Sequence, residues 1–284
     1  MAEIIVVNVS LDHDLAGFSQ YLWEQKLPHR LLRTADRQLL LVGNRQHAAL
    51  VHSAFQRYQL GERPTLEVGE VPAGAHPFLL RVVQAPLTTV LTLLCVLGYL
   101  LVLGDPDGDW VSYLTFTRFD MVGQHVIFSL PRGEYWRLLT PIFLHFSLLH
   151  IVFNSLWLMD LGWRIEHSQG VLRMLGLVLS IGVASNIIQY QFAGAAIFGG
   201  MSGVIYGLLG YCWVWGLLLP HRAFGLPRGL IVIMVAWLLL CIAGFTQLVG
   251  LGAVANAAHV GGLVTGLILG AVFGAVARWG EARP

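Results

Sequence analysis

GGMSGVIYGLLGYCWVWGLLL, at residues 199–219, decides the fold of this chain. The stretch carries no charged side chain and is followed directly by Pro220, His221 and Arg222. This composition is typical of a membrane-spanning helix, for which about 20 apolar residues cover the hydrocarbon layer. From Pro220 back to Ser202 there are about 17 residues, or roughly 25 Å of helix, which is less than the full thickness of about 30 Å. We therefore predict that this helix begins below the membrane surface, with Ser202 at its start.

The rest of the chain is almost as apolar. Its 284 residues are 56% apolar and 12% charged, against about 25% charged in a typical soluble domain. Between residues 141 and 277 the only acids are Asp160 and Glu166, so lipid must be the solvent of this region. We predict an all-α polytopic membrane bundle of six transmembrane helices. The predicted spans are residues 85–104, 140–161, 170–190, 201–219, 227–246 and 251–276.

The N-terminal part has a different pattern, that of a small α+β cytoplasmic domain. We predict the order strand, helix, strand, strand, helix. These elements are placed at residues 4–9, 14–25, 29–34, 38–43 and 46–61, with Asp14 at the start of the first helix and Gly61 closing the second. The domain is assigned to residues 1–65, a linker to 66–80 and the six-helix domain to 81–284.

Basic residues predict the orientation of the bundle. The loops at 191–199 and 247–250 carry no Lys or Arg, whereas the alternate connections and the segments beyond the first and last spans do. Those basic residues are Arg81, Arg164, Arg173, Arg222, Arg228, Arg278 and Arg283. Both termini are therefore predicted to face the cytoplasm. The long loop at 105–139 is too polar to cross and rich in aromatic residues, so we expect it to be partly interfacial.

Four polar side chains inside the predicted spans are candidates for a site, because polar groups are costly in lipid. They are His150, Asn154, Ser202 and His259. His150 lies about 10 residues into its span and His259 about 8 residues into its own, so both are roughly 12–15 Å deep, the level expected for Ser202. Taken singly, each is more simply a structural residue that packs or hydrogen-bonds between helices. Their shared depth favours one functional explanation.

Small residues predict which helices meet. Gly203 and Gly207 form one GxxxG face, and Gly262 and Gly266 form another, one turn beyond His259. Such faces let two helix backbones approach closely. GxxxG alone indicates ordinary packing, but here contact between the two faces would bring Ser202 within reach of His259.

This pair suits a nucleophile and its base, since a serine hydroxyl needs a neighbouring base to become nucleophilic. No carboxylate is expected at this depth, so we predict a dyad whose imidazole is oriented by packing, against Tyr206. The free backbone N–H of Ser202 at a helix start, with His150 and Asn154, would supply oxyanion donors.

Other classes of function are less well supported by the sequence. A metal site lacks HExxH, and His145 and His150, five residues apart, are expected to diverge on a helix. A transporter would show internal repeats or charged pathway residues, and neither is evident. A non-catalytic membrane scaffold stays open, as does a weak homodimer. The net charge of +1 gives no nucleic-acid footprint.

Together these motifs resemble the rhomboid family of intramembrane serine proteases. The matching strings are GGMSGVIYG (199–207), ANAAHVGGLVTG (255–266), HFSLLHIVFNSLW (145–157) and EYWRLLTP (134–141). The resemblance covers roughly residues 80–277. A folded module before six spans is similar to the bacterial type of this family.

The resemblance implies cleavage of transmembrane protein substrates within or near their spans in a lipid bilayer, without a cofactor. Ser202 would be the nucleophile and His259 the base. His150, Asn154 and the Ser202 amide would form the oxyanion hole, supported by Tyr206, Gly200, Gly203, Gly262 and Gly266. The fifth span and residues 246–250 would act as gate and cap, and the first loop would sit in the outer leaflet.

Overall fold

The computed structural model describes most of the chain as two compact units, Met1–Ala75 and His76–Pro284. The described residues are 4–13, 15–25, 27, 29–34, 36–43, 45–63, 66, 77–123, 125–248 and 254–281.

The first unit confirms the predicted order of strands and helices. Its elements are β1 (Ile4–Ser10), α1 (Leu15–Glu24), β2 (His29–Arg33), β3 (Arg37–Val42) and α2 (Arg45–Gln59). Asp14, expected at the start of α1, lies outside the described residues. The chain leaves α2 through Gly61, which has a φ of 82°, a backbone conformation that glycine adopts without a steric penalty.

The sheet of this unit is antiparallel, with strand order β1-β3-β2. Val7 of β1 pairs with Leu40 of β3, and both side chains are buried. They pack with Phe18 and Leu22 of α1 and Val51 of α2. Alternation along the strands and helical spacing in the helices thus direct their apolar side chains into one core.

The second unit is mainly helical. Its helices are α3 (Pro77–Gln84), α4 (Pro86–Gly104), α5 (Val111–Leu114), α6 (Leu148–Gln169), α7 (Val171–Ala193), α8 (Ser202–Leu218), α9 (Arg228–Ile242), α10 (Phe245–Leu248) and α11 (Asn256–Glu281). A hairpin of β4 (Arg118–Val122) and β5 (His125–Ser129) follows α5, and 3-10 turns cover Tyr135–Leu138, Thr140–Phe143 and Pro220–Arg222.

The predicted start of the second span is wrong. The second span was expected to begin at residue 140, but α6 begins at Leu148, because Pro141 lies in a 3-10 turn and Ser147 caps the helix by accepting the backbone N–H of His150. His150 therefore lies in the first turn of α6. Residues 77–80, placed in the predicted linker, are the first turn of α3, and the domain limits themselves stay a prediction.

Within the described residues, three helices are long and apolar enough to cross a membrane, namely α4, α7 and α11. The apolar helices α8 and α9 are shorter, at 17 and 15 residues. Helix α6 has 22 residues but carries Asp160, Arg164 and Glu166. Residues 194–200, expected to be irregular, contain no helix, and α8 begins at Ser202 as predicted.

The acids of α6 hold neighbouring segments in place. Glu166 is buried and accepts the backbone N–H groups of Leu87 and Thr88 at 2.8 and 2.7 Å. These donors have no intrahelical partner at the start of α4, so the carboxylate caps that helix and complements its dipole. Asp160 forms ion pairs with Arg81 and Arg164.

The loop between α4 and α6 is organised by a buried arginine. Arg137 donates to the backbone oxygens of Ser112 and Thr115 at 2.5 and 2.8 Å and pairs with Glu134. Its neighbour Trp136 is exposed and donates Nε1–H to the Tyr113 oxygen. Other large apolar side chains of the loop are exposed as well, including Trp110, Met121, Ile127, Leu130 and Tyr135. The loop thus turns a row of large apolar side chains outward.

Glycines bring α8 and α11 into backbone contact, as predicted. A Cβ added to Gly262 would overlap the Gly203 carbonyl, and one added to Gly266 would overlap the Gly207 carbonyl. No side chain separates the two helices at these levels. The helices therefore approach as closely as their backbones allow.

We predict that Gly266→Ala destabilises the protein by about 1–3 kcal/mol or more, because the new methyl group has no space beside the Gly207 carbonyl. Gly176→Ala, on α7, is the matched control, since nothing lies within 4 Å of its added Cβ. The control should be neutral or slightly stabilising, because alanine favours helix. Thermal unfolding in detergent micelles measures both. Equal unfolding midpoints would contradict this account of the helix contact.

Candidate active site

The structure brings Ser202 and His259 together. Ser202 is the first residue of α8, and His259 is in the first turn of α11. The Ser202 Oγ lies 2.6 Å from the His259 Nε2. His259 is 5% exposed and Ser202 is half-buried. The geometry is that of a hydroxyl and an imidazole sharing one proton, which is what a serine nucleophile requires.

The ring of Tyr206 packs against the imidazole of His259 and restrains its orientation. The Tyr206 ring lies one turn after Ser202, with its centroid 4.9 Å from that of His259 and an interplanar angle of 41°. In the described part of the chain, the buried Nδ1 of His259 has no hydrogen-bond partner. The imidazole is thus held by packing and by Ser202, with no carboxylate behind it among these residues.

His150 of α6 borders the same place, and Asn154 lies one turn further along that helix. A Cβ added to Gly200 would lie 2.6 Å from the His150 Nε2, so the imidazole packs against bare backbone two residues before Ser202. Gly200 has a φ of 120°, which L side chains rarely adopt. The Asn154 Nδ2 donates to the His150 oxygen at 2.8 Å, and its buried Oδ1 has no partner among the described residues.

Three helix starts therefore meet at the site. His150, Ser202 and His259 each belong to the first turn of their helix. A helix start carries a partial positive charge of about +0.5 and unpaired N–H groups. Negative charge that develops beside Ser202 is stabilised by this arrangement.

One inference about His145 is wrong. It was expected to diverge from His150 on a helix, but residues 144–147 are not helical and α6 begins only at Leu148. The two rings lie 4.8 Å apart. His145 is fully buried, with Nδ1 3.0 Å from the Phe143 oxygen and Nε2 facing the Met201 N–H at 3.5 Å. It supports the chain just before Ser202. No group of three or more metal-ligating side chains occurs among the described residues.

Two further polar side chains support the start of α11. The buried Gln189 accepts the Ala258 N–H at 2.9 Å, next to His259. Asn256 donates Nδ2–H to the Cys241 oxygen at 3.0 Å. The sequence analysis singled out neither Gln189 nor Asn256. The signal was present, since Gln189 is an amide inside a predicted span and Asn256 is one turn before His259.

Fold and site together define a helical membrane protein with a serine–histidine pair at the meeting point of its helix starts. Comparison with known proteins agrees. A rhomboid domain model matches residues 132–276, and a rhomboid N-terminal domain model matches residues 1–68.

Curated relatives cover most of the chain. The chain is 34% identical over 275 residues to rhomboid protease GlpG of Serratia proteamaculans (strain 568). This match covers 92% of this chain and 93% of the relative. It is 37% identical over 234 residues to rhomboid protease GlpG of Yersinia pestis (strain Pestoides F), covering 81% and 79%. Rhomboid protease GlpG of Yersinia pseudotuberculosis serotype O:3 (strain YPIII) matches to the same extent.

The chain belongs to the rhomboid family. It is accordingly an integral membrane protein and a serine protease of the intramembrane type. The expected resemblance to the bacterial type with an N-terminal module is confirmed, and that type is GlpG.

We predict that Gly200→Ala lowers the rate at which a fluorophosphonate labels the protein by about tenfold to a hundredfold. The added methyl group displaces His150 and the backbone before Ser202, and small displacements of reacting groups cost that much. Gly194→Ala is the matched control, because Gly194 also has a positive φ, of 74°, but no atom lies within 4 Å of its added Cβ. If both variants lose labelling equally, backbone strain rather than contact with His150 is the cause.

Proposed function

We propose that this protein cleaves transmembrane protein substrates within or near their membrane-spanning segments, with Ser202 and His259 as a catalytic dyad. The observation that carries the proposal is the 2.6 Å contact between the Ser202 Oγ and the His259 Nε2. It lies inside the region matched by the rhomboid domain model. Neither a cofactor nor a nucleic acid enters the proposal, and a weak homodimer stays open.

In the first step, the Ser202 Oγ attacks the scissile carbonyl carbon while the His259 Nε2 takes the hydroxyl proton. The tetrahedral intermediate collapses, the C–N bond breaks, and His259 gives that proton to the leaving amine. Water then attacks the acyl-enzyme ester, with His259 accepting a proton from the water and returning it to Ser202. A single base thus serves both half-reactions.

The developing oxyanion needs donors that are already in place. We assign this role to the backbone N–H of Ser202, which has no intrahelical acceptor at the start of α8, and to the side chains of His150 and Asn154. Asn154 uses one amide hydrogen on the His150 oxygen, which leaves the second for the oxyanion. Tyr206 and Gly200, Gly203, Gly262 and Gly266 position these groups.

We further propose six spans, formed by α4, α6, α7, α8, α9 and α11, with both termini cytoplasmic in a bacterial inner membrane. Connections between consecutive helices then alternate sides, which places the basic residues after α6 and α8 inside. The dyad lies below the outer surface because α8 has only 17 residues. Domain limits of 1–65, 66–80 and 81–284, adjusted for α3, belong to the same proposal.

Ser202→Ala and His259→Ala are each expected to lower cleavage of a purified single-span substrate by at least about a thousandfold, since both residues act in the chemical step. Both variants should also lose fluorophosphonate labelling. Ser180→Ala is the matched control, because the exposed Ser180 hydroxyl donates to the Gly176 oxygen of its own helix. Full cleavage by Ser202→Ala, or full labelling of His259→Ala, would refute the dyad.

The orientation is tested with reporter fusions in bacterial cells. Alkaline phosphatase fused after residue 281 should be inactive, because a cytoplasmic C-terminus keeps it reduced, whereas a fusion in the loop at 194–200 should be active. A green fluorescent protein fused at the same two positions gives the complementary readout. An active phosphatase at the C-terminus would contradict an even number of spans with a cytoplasmic N-terminus.

A further inference from the structure

The loop at residues 194–200, which leads into Ser202, has few backbone hydrogen bonds. Among the described residues, the backbone groups of residues 195–199 form no hydrogen bond with another backbone group. At the two ends of the loop, the Gly194 N–H donates to the Tyr190 oxygen and the Gly200 N–H donates to the Pro141 oxygen, both at 2.9 Å. Between these ends, the position of the loop therefore depends on side chains from other segments.

Three aromatic rings join this loop to the loop at residues 105–139. The ring of Phe116 contacts Tyr190, near the end of α7, with centroids 5.0 Å apart and an interplanar angle of 28°. It also contacts Phe198, with centroids 5.9 Å apart and an angle of 30°. Phe116 and Phe198 are only 5% and 7% exposed. The ring of Phe116 thus packs on both the helix that enters the loop and the loop itself.

The residue after Phe116 contacts the same loop. The hydroxyl of Thr117, a residue that is 2% exposed, donates a long hydrogen bond of 3.5 Å to the Ala196 oxygen. Ala196 and Phe198 are alternate residues of the loop. Two consecutive side chains, Phe116 and Thr117, therefore hold the middle of the loop, where it has no backbone hydrogen bonds of its own.

A buried hydrogen-bond network fixes the backbone on both sides of Phe116. Thr115 is fully buried, and its hydroxyl lies 3.0 Å from the Ser112 oxygen and 2.8 Å from the Thr117 oxygen. Arg137 donates to the oxygens of Ser112 and Thr115. Hydrogen bonds from a charged donor are stronger than those from a neutral one. Phe116 is thus presented to the loop from a firmly held segment.

The chain between Phe198 and Ser202 has little freedom to absorb a displacement. Only three residues separate them. The first of these, Gly199, lies close against the end of the other loop, since an added Cβ would be 2.8 Å from the Pro141 oxygen and 2.9 Å from the Leu144 Cβ. A shift of Phe198 is therefore passed on to the backbone N–H of Ser202.

We propose that Phe116 is a positioning residue, which sets the loop before Ser202 through its ring contact with Phe198 and so aligns the Ser202 N–H toward the oxyanion. The inference rests on the proposed function, in which that N–H is an oxyanion donor. Phe116 itself does not touch the reacting atoms. Its effect falls on the chemical step, because an oxyanion donor stabilises the transition state more than the bound substrate.

Three variants of the full-length protein in detergent micelles test this role. Phe116→Leu and Phe198→Leu each remove one ring of the pair and keep an apolar side chain, and a double variant combines them. Phe119→Leu is the matched control. Phe119 lies in the same loop as Phe116 and is 6% exposed, but it packs in the cluster of Val111 and Leu144. The measurements are the fluorophosphonate labelling rate, kcat and KM for a single-span substrate, and the unfolding midpoint.

Phe116→Leu and Phe198→Leu are each expected to lower the labelling rate and kcat by about two- to tenfold, the loss that corresponds to one aromatic contact. KM should stay unchanged, because the lost interaction acts in the transition state. The double variant should lose little more than either single variant, since both remove the same contact. Phe119→Leu should lower the unfolding midpoint to a similar extent and leave the labelling rate and kcat unchanged.

Hydrogen–deuterium exchange at the Gly200 N–H supplies a readout that does not depend on proteolysis, because this group is bonded to the Pro141 oxygen. In Phe116→Leu and Phe198→Leu, the peptide that contains Gly200 should exchange about two- to tenfold faster. Exchange within α6 should stay unchanged in both variants. Phe119→Leu should leave the exchange of both peptides unchanged.

Unchanged labelling and exchange in Phe116→Leu overturn the proposal, and so does an equal loss of labelling in Phe119→Leu, which reports general loosening. Losses that multiply in the double variant, or a raised KM with unchanged kcat, contradict it as well. If Gly200 exchange responds but the unmodified protein cleaves no substrate, the proposed function fails and the contact with Phe198 stands. If the unmodified protein cleaves and Phe116→Leu equals it in every measurement, the reverse holds.

Discussion

The backbone contact between α8 and α11 is the constraint on which the site depends. Any side chain at Gly262 or Gly266 would meet a carbonyl of the facing helix, and the extra separation would carry His259 away from Ser202. The 2.6 Å hydrogen bond between these residues joins two helices that are far apart in sequence. Even a small increase in the separation of the helices would break it. The glycines lose the apolar packing that larger side chains provide, but in lipid this loss is small, since close helix contact rather than water exclusion stabilises such pairs.

A second constraint is the cost of polar groups in an apolar surrounding. Most buried polar side chains of the second unit are paired, as Glu166 is with the start of α4 and Arg137 with two backbone oxygens. Among the described residues, five buried side-chain atoms have no partner: the His259 Nδ1, the Asn154 Oδ1 and the Asn256 Oδ1, on the helices that carry the candidate site, and the Arg137 Nη2 and the Gln169 Nε2 elsewhere. Such atoms are stable only where the surrounding fold holds them. The unpaired Nδ1 of His259 leaves that imidazole oriented by packing and by Ser202 alone among the described residues.

Local sequence patterns predicted most of the secondary-structure elements. Apolar runs and polar turns located the strands and helices of the first unit, and uncharged runs located the helices of the second. The start of α6 was placed too early, because the residues from 140 onward are as apolar as a span, and only Pro141 and the Ser147 cap reveal the 3-10 turns. The same error led to the wrong expectation for His145. Composition indicates which segments are apolar enough to lie in lipid, but backbone hydrogen bonding decides where a helix begins.

The sequence by itself determined the class of molecule, the apolar runs, the GxxxG faces and the small set of polar residues worth examining, because each of these is a local property of composition and spacing. Only the tertiary structure decided that the starts of α6, α8 and α11 meet, that Tyr206 packs on His259 and that α9 is tied by two hydrogen bonds. These are contacts between residues distant along the chain. Their geometry depends on the distance between packed helices. No local pattern in a single sequence predicts that distance.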